Sequence, residues 1–338
     1  MSTETRPVLT IAVPTYNGSR TIRSMLDIML PQVDQRIEVL FCDNCSTDET
    51  PQIIEDYRKR YPFIRVVRHD RNIGPDANFL SALRLARGKY VLLLSDDDIL
   101  IEHALDNILN VLEENPELTL AYLHTVGFHN RYVSVDQCIT PGRPVPENIV
   151  TRDKKEFMKY AGFYWGFMSS FVCAKDMFVQ MPEPESYNGT YWLQSYIHIY
   201  CCHQPDALLG VIKGPCIGAG NYINLANFDT SLVDGVYYRK MLDYAVSKAG
   251  FDRKQLDALY IKRLSILGKR AVIKERAAGV KKTDIGRLIR CSLPYPSAWV
   301  SLFPFLLIPT PICRIVTKAY RSMKKARGEL RENRPEPK

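Results

Sequence analysis

The sequence predicts an α/β protein whose first part builds a Rossmann-like, mostly parallel sheet flanked by helices. Three observations point there. Strand-like and helix-like segments alternate from residue 8 to residue 123, the strands read as unbroken apolar runs, and a polar cluster follows strand after strand. Unbroken apolar runs suit strands covered on both faces, and regular strand–helix alternation suits a parallel, doubly wound sheet.

Residues 8–13 (Val-Leu-Thr-Ile-Ala-Val) read as the first strand, followed by the turn Pro14-Thr15-Tyr16-Asn17-Gly18 and a helix over about 19–30. Residues 37–42 form the second strand, and Ser46 or Thr47 is placed to cap a helix over 48–60 with Pro51 in its first turn. A third strand over 64–67 leads through Asn72-Ile73-Gly74 into a helix over 75–86. Gly74 supplies the positive φ such a turn requires. Residues 90–94 are a continuous apolar strand, 102–114 an amphipathic helix and 118–123 another strand. The second half is less regular. Residues 131–150 read as a loop, 166–174 as a strand, 190–202 as an aromatic-rich helical stretch, and 234–250 and 252–278 as helices.

In doubly wound sheets ligands sit beyond the carboxyl ends of the strands. That rule gathers Tyr16-Asn17, Asp43-Asn44, Arg71-Asn72 and Ser95-Asp96-Asp97-Asp98 on one edge. Three adjacent aspartates repel one another, and a divalent cation relieves the repulsion; hard oxygen ligands select magnesium or manganese. A cation there bridges the phosphates of a nucleoside diphosphate. The competing reading is a solvated helix start, where acids are also favoured. Asp43 is suited to accept hydrogen bonds from a nucleobase or ribose, whereas Asn44 to Thr47 suit a turn and cap. Asn72, Asp76 and Asn78 place polar side chains beside the same edge, and Tyr16 either stacks on a base or packs on its own loop.

Taken together, Val13-Pro14-Thr15-Tyr16-Asn17, Asp43-Asn44-Cys45-Ser46-Thr47-Asp48, Arg71-Asn72-Ile73-Gly74 and Ser95-Asp96-Asp97-Asp98 resemble the family 2 glycosyltransferases with the GT-A fold. The Asn-x-Gly-x-Asp-x-Asn-Phe run and the Ser-Asp-Asp-Asp are similar to transferases that add deoxyhexoses such as abequose to bacterial O-antigen. The resemblance implies a nucleotide-sugar donor contacted by Pro14, Tyr16 and Asp43. It implies a Mn2+ or Mg2+ ion on Asp97, the second acid of an Asp-x-Asp whose first position is Ser95 here, with Asp96 or Asp98 taking a further metal or ribose contact. It also implies a lipid-linked or envelope glycan acceptor. The family's inverting members carry an acid near the acceptor as general base, but residues 189–194 (Gly-Thr-Tyr-Trp-Leu-Gln) contain none. Glu183, Glu185 and His198 are the nearby candidates, with a core histidine the competing reading for His198. On this scheme residues 1–125 are the nucleotide-sugar half, 126–232 the acceptor half, 233–290 C-terminal helices and 291–338 a membrane-associating segment with a basic tail.

Bulk properties fit a globular enzyme. The 338 residues are 46% hydrophobic and 24% charged, with formal net charge +8. The excess of Lys and Arg is concentrated after residue 262, which points to an anionic surface; a membrane is expected rather than nucleic acid. Nine cysteines in apolar contexts are not a disulfide framework, and the Cys42-x-x-Cys45 pair lacks the partner pair of a zinc site. The polar residues 1–7 lack the apolar run of a signal peptide, so a cytoplasmic location is expected.

Residues 291–313 carry no charge and at ~23 residues are long enough to span a bilayer. Pro294, Pro296, Pro304, Pro309 and Pro311 oppose one continuous helix. Flanking Arg287, Arg290, Arg314, Lys318, Arg321, Lys324, Lys325 and Arg327 suit anionic headgroups. The expectation is an anchor lying in the cytoplasmic interface through 291–327, against a packed hydrophobic arm. Two further functions compete: a catalytically silent nucleotide-sugar-binding protein at the membrane, and a nucleotidyltransferase. The latter needs a basic Gly-rich loop after the first strand, which Pro14 to Gly18 does not supply.

Overall fold

A computed structural model describes residues 6–128, 132–138, 144–162, 165–220, 229, 231–279 and 283–326. The chain divides into two compact units, Met1–Tyr222 and Ile223–Lys338. The division falls earlier than the 232/233 boundary expected from sequence.

In the first unit nine strands form one sheet: β1 (Leu9–Thr15), β2 (Ile37–Asp43), β3 (Arg65–Arg68), β4 (Tyr90–Leu93), β5 (Ile99–Leu100), β6 (Leu118–Phe128), β7 (Ile149–Thr151), β8 (Phe171–Ala174) and β9 (Leu208–Gly220). Their order is β3-β2-β1-β4-β8-β6-β9-β5, with β7 paired to β9. The run β3-β2-β1-β4 is parallel throughout, as the apolar strands predict. β8 then runs antiparallel to both β4 and β6. The strand expected over 166–174 begins only at Phe171, because Met168–Ser170 form a 3-10 turn with Ser169 and Ser170 buried.

Among the described residues seven α-helices flank this sheet: α1 (Ile22–Met29), α2 (Thr50–Arg60), α3 (Pro75–Leu85), α4 (Ala104–Glu114), α5 (Lys154–Ala161), α6 (Lys175–Val179) and α7 (Leu193–His203). On α1 the buried residues are Ile22, Met25, Leu26 and Met29, the spacing of one helical face. They join Leu9, Ile11, Val13, Val39, Phe41 and Leu92 in a single core. α2 starts at Thr50, and the amide there is held by Asp48 Oδ1 at 3.0 Å rather than by Ser46 or Thr47. α3 follows Gly74, whose φ of 87° is left-handed as the turn requires.

The second unit opens with a π-helical turn, Ser231–Tyr237, and continues as α8 (Tyr238–Ala249), α9 (Arg253–Ala278), α10 (Ile285–Ser292), α11 (Pro296–Leu306) and α12 (Thr310–Ala326). Both α11 and α12 pack on α9. Cys313 of α12 is buried, while Ile312, Ile315, Val316, Tyr320 and Met323 stand exposed at helical spacing. No single helix among the described residues is long and apolar enough to cross a membrane. α11 and the first part of α12 meet that test only as a pair bent by 95°.

β4 is the keystone of the parallel run, and Leu92 at its centre is 0% exposed. Leu92→Ala is expected to destabilise the first unit by about 2–5 kcal/mol, read as a lower urea midpoint with unchanged slope.

Candidate active site

The parallel registers pair Thr15 with Asp43 and Asp43 with Arg68, so the carboxyl ends of β1, β2 and β3 lie side by side. The loops beyond them are tied to one another, chiefly by asparagines. Asn17 (φ 55°) donates its amide to Ser46 Oγ at 2.9 Å and accepts the Thr47 amide on Oδ1 at 2.8 Å. Asn44, buried, donates from Nδ2 to Asn72 Oδ1 (3.0 Å) and the Gly74 carbonyl (3.2 Å), and accepts the Ile73 amide on Oδ1 (2.9 Å). Ser46, Thr47 and Asn44 therefore join loops instead of capping α2. Asn78 is buried too, donating to the Cys42 carbonyl at 2.9 Å and meeting His69 at 3.1 Å. Asp76 faces away from β2: its Oδ2 accepts the Tyr191 amide at 2.8 Å. Of the side chains expected to bind nucleotide, Asn17, Asn72, Asp76 and Asn78 thus hold the loops in place.

Asp43 is different. It is 1% exposed, and Oδ1 accepts the Ser46 amide at 2.9 Å. Oδ2 is buried without a hydrogen-bond partner, its one described contact being the ion pair with Arg68 Nε at 3.4 Å. A buried carboxylate oxygen in that state has the capacity to accept from a further N–H or O–H. Tyr16 stands 47% exposed in the loop after β1, whereas Pro14 is buried within that strand.

The acidic loop runs from β4 to β5, which pairs with β9 on the far side of the sheet. Asp98 is buried, with Oδ2 accepting from Ser169 Oγ (2.6 Å) and Oδ1 from the Gly220 amide (3.0 Å). Ser169 Oγ also accepts the Ser95 amide at 3.0 Å. Asp98 is thereby engaged on both oxygens by the fold, which leaves it poorly suited to the cation contact expected of it. Asp96 accepts from Thr15 Oγ1, and Asp97 from Ser95 Oγ. Burial pushes the Asp96 carboxyl up to about 7 against the opposing Thr15 bond. Burial also raises Asp97, and it raises Asp98 well above the usual range with the neighbouring Asp97 charge adding to the effect.

Such a loop gains when a proton or a cation neutralises it. Asp96 Oδ1 and Asp97 Oδ2 have no side-chain partner among the described residues. No group of three His, Cys, Asp or Glu among those residues is disposed to enclose a metal. What this loop offers a cation is at most one or two carboxylates, as for an ion that keeps several waters. Four residues contribute in ways the sequence reading did not assign: Thr15 and Gly18, read there only as part of the first turn, and Ser169 and Gly220. A Cβ on Gly18 would meet Asp96 Oδ2 at 2.1 Å, so only glycine lets the β1 loop close over that carboxylate. Gly18 was legible as a turn residue. Ser169 and Gly220 carry no local signal.

The three general-base candidates are not drawn to this loop by any hydrogen bond described. His198 is a core residue: 3% exposed, its ring 4.3 Å from that of Phe171, with burial pushing its pKa down to about 4. Glu185 is exposed and paired with Arg84, which holds its carboxyl below the usual range. Glu183 lies exposed at the head of the 3-10 turn Pro184–Tyr187. Trp192 is buried against Gly166, while Tyr191 is 41% exposed. Cys42 is buried in β2, and burial pushes its thiol up to about 12, unlike a redox or zinc thiolate.

Comparison with known proteins bears on this arrangement. Residues 10–172 match the family model described as glycosyl transferase family 2. The abequosyltransferase RfbV of Salmonella typhimurium is 25% identical over 223 residues, covering 62% of this chain and 66% of that protein. Chondroitin synthase of Escherichia coli is 33% identical over 122 residues, covering 36% of this chain and 17% of the synthase. The chain thus spans at most 66% of the length of these two relatives. Among solved structures, S. aureus TarS 1-349 in complex with UDP-GlcNAc superposes with TM-score 0.61 at 18% identity, covering 86% of this chain and 81% of that one. The same TarS fragment in complex with UDP gives 0.57 at 17% identity, over 96% and 93%. At such identities the likeness speaks for the fold. With the sequence match over residues 10–172, it identifies that segment as a family 2 glycosyl transferase domain with the GT-A fold.

Proposed function

We propose that the protein transfers a sugar from a nucleotide-sugar donor to a lipid-linked glycan, or another cell-envelope glycan, at the cytoplasmic face of a membrane. The observation that carries this reading is the meeting, on one sheet edge, of the orphaned Asp43 Oδ2 and the half-buried acidic loop 95–98. Asp43 accepts a donor group of the base or ribose, and Tyr16 offers an exposed ring for stacking. Asp97 and Asp96 would hold Mn2+ or Mg2+ together with the diphosphate of the donor. Such an ion would supply positive charge to offset what develops on a departing nucleoside diphosphate. The likeness to an abequosyltransferase favours a deoxyhexose and an O-antigen-like acceptor.

Membrane attachment is supported by α12. Its exposed apolar stripe shares the helix with Arg314, Lys318 and further basic residues, and no acid occurs from Ile285 to Gly328. A basic amphipathic helix of this kind suits an anionic bilayer surface. The nine thiols, all unpaired, suit a reducing compartment.

Three measurements test the proposal. A thermal-shift screen of UDP, GDP, CDP and dTDP with MnCl2 is expected to single out one nucleotide that raises Tm, since ligands that bind the native state stabilise it. Asp43→Ala should abolish the shift, and Asp97→Ala should lower manganese-dependent turnover of the matching nucleotide-sugar by about 100-fold or more. Transfer that survives both Asp97→Ala and metal removal would overturn the metal assignment. Second, the raised Asp96 pKa means that this carboxyl becomes neutral as pH falls through about 7. Manganese affinity should therefore weaken from pH 8 to pH 6 in the wild type, and Asp96→Asn should flatten that dependence. Third, the full chain should float with vesicles containing phosphatidylglycerol but much less with phosphatidylcholine alone. The double substitution Ile315→Asp, Val316→Asp should reduce flotation, and equal flotation of the variant would count against α12.

A further inference from the structure

The acid expected at residues 189–194 is missing from that segment, yet a buried carboxylate reaches it from elsewhere. Asp76, the second residue of α3, is 1% exposed. Its Oδ2 accepts the Tyr191 amide at 2.8 Å, a contact made across 115 residues of sequence. Burial raises the carboxyl above its usual range, and the amides of Tyr191, Leu193, Gly189 and Thr190 act against that rise. Its Oδ1 has no hydrogen-bond partner.

The segment it grips is strained. Gly189 has φ 82° and Tyr191, which is not glycine, φ 62°. A left-handed tyrosine persists only where its surroundings impose the conformation. The segment also opens α7, which has no side-chain cap at its own N-cap residue, Trp192. Among the described residues α3 also packs against the preceding turn Pro184–Tyr187 and carries the Arg84–Glu185 ion pair, and exposed pairs of that kind contribute little. Asp76 is the buried anchor.

On its other flank the same first turn of α3 carries the nucleotide-side loop. Gly74 donates its amide to Asn72 Oδ1 at 2.8 Å, and its carbonyl accepts from Asn44. Asn44 in turn adjoins Asp43, the residue with the orphaned oxygen. A short, hydrogen-bonded path therefore joins the end of β2 to Tyr191 through Asn44, Gly74 and Asp76. Resting on the proposed glycosyl transfer, we propose that Asp76 is a positioning residue that holds the acceptor-side segment 189–192 against the nucleotide-side turn, so that a nucleotide bound at β2 orders that segment.

The test is amide hydrogen exchange of the full chain, followed in peptides covering residues 187–196. It uses whichever of UDP, GDP, CDP or dTDP, with MnCl2, raises Tm. In the wild type the nucleotide should slow exchange in these peptides. Asp76→Asn, isosteric and uncharged, should speed their exchange by about tenfold without nucleotide and remove the nucleotide's effect. Its Tm shift with nucleotide should stay close to that of the wild type, because Asp76 does not reach the ligand. Asp76→Ala should act in the same direction and more strongly; if it fails to fold, the asparagine variant carries the test. A purely structural role would speed exchange yet leave the nucleotide-induced protection in place, and that result would overturn the proposal. So would unchanged exchange at 187–196 in Asp76→Asn. If no nucleoside diphosphate raises Tm, the glycosyl-transfer reading fails, the coupling falls with it, and exchange in Asp76→Asn alone decides whether Asp76 anchors the segment.

Discussion

A carboxylate buried at the end of a buried strand has few stable options, and Asp98 takes the one its neighbours provide. Its two oxygens accept from Ser169 and from the Gly220 amide, so a charge that solvent does not reach is met by two donors. Those donors come from the turn before β8 and from the end of β9. The same bonds therefore join the end of β4 to the second half of the sheet. With Asp98 fixed, Asp96 and Asp97 are held half-buried beside it; burial raises the proton affinity of all three, and neighbouring carboxylates add to the rise at Asp96 and Asp98. An acidic loop in this state is stabilised by whatever neutralises it, a proton or the cation proposed above. That state comes from the way the fold confines it.

The remaining loops are rigid for a related reason. Chain segments leaving parallel strands expose backbone amides and carbonyls with no ladder partner, and these must be satisfied locally. Asn17 and Asn72 do this by accepting backbone or side-chain N–H groups on Oδ1, Asn78 by donating to the Cys42 carbonyl, and Asn44 by donating and accepting at once. The result is a site edge in which few polar atoms are left over. Asp43 Oδ2 is one that is. Selectivity for a nucleoside follows more readily from one unmet acceptor in a closed network than from many half-met ones.

Much of this was legible in the sequence and some was not. The parallel strands were, because burial on both faces writes a continuous apolar run such as residues 90–94. So were the left-handed Gly74 and the placing of four polar clusters on one edge. Asn17, Asn72 and Asn78 were expected at the ligand and Asn44 in the turn, and the bridging bonds of all four were not legible, because an amide that binds a ribose and one that bridges two loops have the same chemistry. Only the three-dimensional neighbourhood separates them. Ser169, Gly220 and the Tyr191 partner of Asp76 act over separations of 71 to 122 residues, and no local pattern marks such pairs. His198 lies on an aromatic-rich helix, where a core position was always the competing reading. The antiparallel entry of β8 was hidden because a short apolar strand carries no sign of its direction.

The bond between Asp98 and the Gly220 amide also sets an order of assembly. These residues are 122 positions apart, and β5 can pair only once β9 exists. On a ribosome adding about 5–20 residues per second, the acidic loop waits on the order of ten seconds for its last partner. Until then Asp98 lacks the second of the two donors that hold it in place. The parallel run β3-β2-β1-β4 depends only on residues already made, and long-range pairings form after local ones. In the nascent chain the nucleotide-side scaffold therefore precedes the cation loop, and the site becomes complete only when the final strand closes the sheet.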